Sequence, residues 1–212
     1  MRGSVILLAL LTLTGCSLLP GRAPPPPAPI ARADAGRCLA ALAGNGARYA
    51  ALPDRFYAPG CRAVGSVRLD RLTGDRGGFA LAGLGPVACP LADRFAGWAR
   101  YGVDRAARQM LGSGLARIET MGSYACRPVA GGTRLSAHAR AEAVDVAAFV
   151  LEDGRRVSVK AGWAGASDQE RAFWRTIHAS ACKRFGTVLG PAYNAAHADH
   201  LHVELGTGSF CR

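Results

Sequence analysis

Residues 143–151, Ala-Val-Asp-Val-Ala-Ala-Phe-Val-Leu, run into Glu152-Asp153-Gly154 and are answered by Arg156 to Lys160. A valine-rich run closed by Asp-Gly reads as one strand of a tight β-hairpin. Asp145 alternates with Val144 and Val146, so its carboxylate is aimed at one face of a buried sheet. A carboxylate in that position needs a cation or several hydrogen-bond donors beside it.

The neighbouring segments mix helices with hairpin strands. Residues 37–51 read as a helix interrupted at Gly44 and Gly46, and 64–69 as a strand. Cys89-Pro90 opens a helix from Leu91 to Leu111, with Phe95, Trp98, Ala99 and Val103 near helical spacing. Residues 115–121 alternate like a strand. Ser167 and Glu170 form a capping box for a helix through Phe185, whose Phe173, Trp174, Ile177 and Ala181 share a face. A last strand is expected over His200 to Leu205. Because these elements do not alternate as βαβ units, the fold class is α+β: a small antiparallel sheet flanked by helices.

The chain has 212 residues, half of them hydrophobic, which excludes a disordered protein. Its only long charge-free apolar run is N-terminal, which excludes a polytopic membrane protein. The net charge is +11, but the basic residues are scattered and nearly all arginine, Lys160 and Lys183 being the lysines. Without a basic cluster interleaved with aromatics, a nucleic-acid partner is not expected.

Residues 1–16, MRGSVILLALLTLTGC, carry one Arg, an apolar stretch and then Leu13-Thr14-Gly15-Cys16. This reads as a secretory signal over 1–15 whose ending resembles the bacterial lipobox, with Cys16 lipidated as the mature first residue. Loss of Arg2 would take the net charge from +11 to +10. Ser17, rather than Asp, after the lipidated Cys favours the outer membrane. From Pro20 to Pro29 six of ten residues are proline, so 16–33 reads as an extended tether, or alternatively as a proline-recognition ligand. The folded domain is then 34–212, exported, membrane-anchored and monomeric.

Export fits the cysteines. Apart from Cys16 there are six: Cys38, Cys61, Cys89, Cys126, Cys182 and Cys211. An even number in an oxidising compartment, with no CxxC pair, predicts three disulfides. Sequence proximity favours Cys38–Cys61, Cys89–Cys126 and Cys182–Cys211.

Four of the five histidines fall in two segments, Ser136-Ala137-His138 leading to Asp145, and His197-Ala-Asp199-His200-Leu201-His202. Strand alternation puts His200 and His202 on one face and Leu201 and Val203 on the other. Two imidazoles, a carboxylate and an open position are the composition of a catalytic zinc site. His178, among aliphatic neighbours on a helix, reads as structural.

At these residues the chain resembles known families. SxHxxxxAxD followed by HxxHxH is similar to the zinc D-alanyl-D-alanine metallopeptidases and their wider group, including lysostaphin-type endopeptidases and the hedgehog signalling domain. More closely, the chain resembles the bacterial extensin-like C-terminal domain proteins. That likeness rests on Gly122 to Arg127, Gly131 to Ala139, Ala143 to Phe149 and Asp199 to Glu204, and spans Cys38 to Cys211. The resemblance implies zinc held by His138, Asp145 and His202, on a metallopeptidase or hedgehog-like fold. It implies Asp199 as the base, with His200 and His197 beside the metal. Arg127 would polarise the scissile carbonyl or bind a substrate carboxylate, and Ser136 would contact the substrate backbone. The implied substrate is the peptide part of peptidoglycan, cut by a carboxypeptidase or an endopeptidase. A non-catalytic zinc module binding cell wall or a protein partner is the alternative. Two departures stand out: Ala141 and Glu142 lie where the family often has Gly, and Asp199 replaces the commoner Glu. Asp is one methylene shorter and the strand period points to His200, yet Asp199, at the edge where the strand begins, is taken as the base with His200 stabilising the transition state.

Overall fold

The computed structural model describes residues 32–212 apart from Ala166 and Thr207. The signal sequence, Cys16 and the proline-rich stretch lie outside the described residues. Among the described residues, no helix is long and apolar enough to cross a membrane.

Twelve strands are described: β1 (Arg48–Ala51), β2 (Arg55–Ala58), β3 (Cys61–Ala63), β4 (Ser66–Thr73), β5 (Gly78–Ala82), β6 (Val87–Ala88), β7 (Leu115–Gly122), β8 (Ala143–Leu151), β9 (Arg156–Ser158), β10 (Thr187–Leu189), β11 (Leu201–Glu204) and β12 (Phe210–Cys211). The main sheet has the order β1-β4-β5-β7-β8-β11-β10-β12, with β6 beside β4 and β9 beside β8; β2 and β3 form a separate hairpin. Helices are α1 (Arg32–Gly44), α2 (Cys89–Trp98), α3 (Val159–Gly162) and α4 (Asp168–Cys182). Helices and a mixed sheet make this an α+β fold. The sheet is larger than expected and not wholly antiparallel, since β5–β7 and β10–β12 pair in parallel.

The hairpin forms as its sequence dictates. Val150 faces Arg156 and Ala148 faces Ser158, with the turn closed at Gly154, where φ is 87°. The return strand stops at Ser158, whose hydroxyl caps α3, so Val159 and Lys160 are helical rather than extended. β8 lies centrally between β7 and β11. Its Val144 and Val146 face the core, where Phe149 meets Trp98, Phe173 and Trp174 at ring-centroid distances of 5.4–6.3 Å.

Both long helices bury the faces their spacing predicts. In α2 these are Leu91, Ala92, Phe95, Ala96 and Trp98, and wider π-type turns carry the chain on to Leu111. Ser167 Oγ accepts the Glu170 amide at the start of α4, and Phe173, Trp174, Ile177 and Ala181 are buried. The Trp98 indole donates to the Ile177 carbonyl at 3.1 Å, locking α2 against α4 without leaving a buried N–H unpaired.

Three expectations need correction. The helix expected over 37–51 ends at Gly44, and Gly46 at φ 74° turns the chain so that Tyr49 pairs with Leu69 across β1 and β4. The disulfides are Cys38–Cys89, Cys61–Cys126 and Cys182–Cys211, so only the last matches the expected pairing. Proximity misled because loop-closure entropy grows only logarithmically with length; separations of 51 and 65 residues cost little more than shorter ones. The third concerns β2, β3, β5, β6, β10 and β12, for which no strand was expected. Several are two or three residues long, too short for alternation to register.

Candidate metal centre

The site is built on β8, β11 and the short 3-10 turn Ala137–Arg140. Ser136 caps that turn, its hydroxyl accepting the His138 amide at 3.4 Å. Ala141, at φ 56°, closes it, and its amide returns to the His138 carbonyl at 3.1 Å. That left-handed residue lets the chain reverse directly into β8. A Cβ is strained at that position.

β11 runs antiparallel to β8 with His202 directly opposite Asp145 and Leu201 opposite Val146. The two apolar partners face the core, and Asp145 and His202 face away from it. Three donor atoms then converge. His202 Nδ1 lies 2.8 Å from Asp145 Oδ1, His138 Nε2 lies 3.1 Å from Asp145 Oδ2, and the two ring nitrogens are 3.2 Å apart. All three side chains are buried, and their donor atoms lie within 4.8 Å of one another.

The outer nitrogens are also engaged. His138 Nδ1 faces the Ser123 carbonyl at 3.3 Å, and His202 Nε2 faces the Glu204 carboxylate at 3.1 Å. Protons on those outer nitrogens leave the inner lone pairs free for a cation, the arrangement metal-ligating histidines adopt. Tetrahedral zinc with ligand bonds of ~2.0–2.1 Å would space its donors about 3.3 Å apart. The separations here are already close to that, so the residues fit the group.

Without a cation the same inner contacts are held by protons. Burial alone would raise the Asp145 carboxyl, but the hydrogen bonds from His138 and His202 outweigh it and hold Asp145 well below the usual carboxylate range. Burial would lower His202, yet Asp145 and Glu204 on either side push it up to about 9. A cation binding between these three groups would displace those protons, so its affinity should rise with pH.

Beyond the three donors a cavity of about 420 Å³ opens, lined by Arg127, Ser136, His197, His200 and Glu204 among others. His200 Nε2 stands 3.7 Å from Asp145 Oδ1, and its Nδ1 meets Asp199 at 2.9 Å. Asp199 itself lines a neighbouring cavity rather than this one. That contact with His200 lowers the Asp199 carboxyl. His197 packs against His200 with ring centroids 5.1 Å apart, and its Nδ1 meets Asn194 Oδ1 at 2.7 Å. Burial, followed by the charge of His200 and His202, lowers it to about 4 and keeps it neutral at pH 7.

His178 lies apart from this cluster. Its ring sits edge-on to Trp163 and against the Cys182–Cys211 disulfide, whose sulfurs have no thiolate to offer a metal. Sequence reasoning gave no role to Glu204, although it shares the His202 face two residues on. Arg134 lies inside the Gly131 to Ala139 stretch but was given no role, and Tyr193 and Phe210, which also line the cavity, lie in no motif.

No curated protein and no solved structure matches the chain. The family model described as Extensin-like protein C-terminus matches residues 36–212, nearly the whole described domain. On that match the chain belongs to the Extensin-like protein C-terminus family.

Proposed function

We propose that this domain is a zinc-dependent peptide hydrolase acting on the stem peptides of peptidoglycan, exported and held at a membrane through Cys16. The observation that carries the reading is the convergence of His138 Nε2, His202 Nδ1 and an Asp145 oxygen beneath an open cavity. His138, Asp145 and His202 would hold the ion, with the Ser123 carbonyl and Glu204 fixing the two rings. When bound, zinc would polarise an amide carbonyl and make a water acidic near neutral pH.

The chain's own groups supply the rest. His200 Nε2 faces the site and Asp199 holds its other nitrogen, so His200 is placed to take a proton and return it to a leaving amine. In this reading Asp199 acts through His200 instead of as the base itself. Neutral His197 and Ser136 border the cavity as hydrogen-bonding partners for a peptide backbone. Arg127, on the same wall, offers its guanidinium to a carbonyl oxygen or a carboxylate.

Incubating the full chain with defined muropeptides, with and without chelator, tests the proposal. Metal-dependent release of shortened stem peptides is expected, and no release at any zinc loading would overturn it. One observation favours the non-catalytic alternative, a zinc-stabilised module that binds cell wall or a protein partner. Among the described residues, the carboxylates lining the cavity are Asp145 and Glu204, and both are committed to histidines.

A further inference from the structure

Asp145 faces away from the core-facing Val144 and Val146, and two residues on, at a bulge in the pairing with β7, Ala147 also opens away from the core. Asp145 borders the 420 Å³ cavity already described, and Ala147 borders a second cavity of about 260 Å³. At ~3.3 Å of rise per residue, the two floor positions are only about 7 Å apart along the strand. Between them stands the hydrogen-bonded pair His200–Asp199, with His200 lining the first cavity and Asp199 the second. The two hollows are therefore consecutive along one strand, on either side of the group placed to move a proton.

Their charges match. The first cavity carries Arg127 and Arg134, neither of which has a carboxylate partner among the described residues; the Arg127 guanidinium donates only to the Pro128 carbonyl at 3.5 Å. The second carries exposed Lys160, which makes no ion pair among the described residues, and Arg156, which is bound to Glu119. Asp199, the acidic member there, is engaged by His200. Cations thus lie at both ends of the run, the Lys160 charge also acting on the Asp199 carboxylate beside it.

We infer that the two cavities form one substrate cleft along β8, which holds an anionic peptide on both sides of the reacting bond. The inference rests on the peptidase reading and adds to it the charge of the substrate and the residues that hold it on each side of the reacting bond. An extended acidic peptide fills both hollows and places an interior bond at His200. Arg134 and Lys160 are then specificity residues, one at each end.

The test is binding by calorimetry to the zinc-loaded full chain at fixed ionic strength. The probes are an acidic hexapeptide with a central reduced amide, and its two halves with capped ends. The whole peptide should bind at least tenfold more tightly than either half. Lys160→Ala should weaken the whole peptide and one half about tenfold while leaving the other half unchanged, and Arg134→Ala should show the converse. A half that binds as tightly as the whole, or a neutral Lys160→Ala, overturns the cleft. The hydrolysable hexapeptide separates this failure from that of the peptidase reading. If the binding pattern holds and nothing is cut, the cleft stands and the peptidase reading fails. Release of terminal residues alone, with Lys160→Ala neutral, leaves a peptidase without the cleft.

Discussion

The Glu204 carboxylate accepts the outer ring N–H of His202 at 3.1 Å, two residues along the same strand face. It thereby fixes which nitrogen of His202 faces Asp145. Glu204→Gln keeps a hydrogen-bond acceptor but removes the charge that favours the oriented ring. Zinc affinity should fall 10- to 100-fold, as on loss of other outer partners of metal ligands, with the fold intact. A competition titration against a chromophoric chelator measures it; unchanged affinity would show that Glu204 does not support the site.

In the proposed mechanism His200 and Asp199, hydrogen-bonded at 2.9 Å, divide one task between them. His200→Ala should lower turnover on muropeptides about a hundredfold or more, the scale of a lost acid–base group, while zinc stays bound. Asp199→Asn should cost less, because its amide still meets the His200 ring at that position. A larger loss in Asp199→Asn than in His200→Ala would make the carboxylate the base.

Much of this site was legible because alternation holds through Val144–Val146 and Leu201–Val203, before the bulge at Ala147. Asp145 between two valines and His202 between Leu201 and Val203 could face only one way, and the antiparallel register then put the two opposite each other. The position of His138 was not readable in this way, because it depends on a capped 3-10 turn and a left-handed Ala141. The role of Asp199 shows the limit of motif spacing. A carboxylate three residues before a ligand histidine can reach into the site or reach the neighbouring ring, and here it meets His200. The disulfides were opaque for a further reason, since tertiary packing of α1 on α2 decides the partner of Cys38.

Ala141 carries strain that a single substitution removes. A non-glycine residue in the left-handed region costs roughly 1–2 kcal/mol, so Ala141→Gly should stabilise the domain by up to that amount. For a domain of this size about 1 kcal/mol raises Tm by roughly 2–4 °C, readable by thermal melting with zinc content unchanged. A lowered Tm would mean that the Ala141 side chain, which is buried, contributes more by packing than its backbone costs.

The cysteine pairing has a direct chemical check. Non-reducing peptide mapping of the exported protein should recover Cys38–Cys89, Cys61–Cys126 and Cys182–Cys211 with no free thiol among the six. Reduction should destabilise the domain by a few kcal/mol per bond. Recovery of a Cys38–Cys61 peptide would contradict the packing of α1 on α2.

The central claim is that His138, Asp145 and His202 hold one zinc ion, and elemental analysis of the purified chain tests it most directly. After stripping and reloading, wild type should bind one zinc per chain. His138→Ala and His202→Ala should bind none, and His178→Ala should match wild type. No zinc in the wild type, or one full equivalent surviving in His202→Ala, would contradict the account.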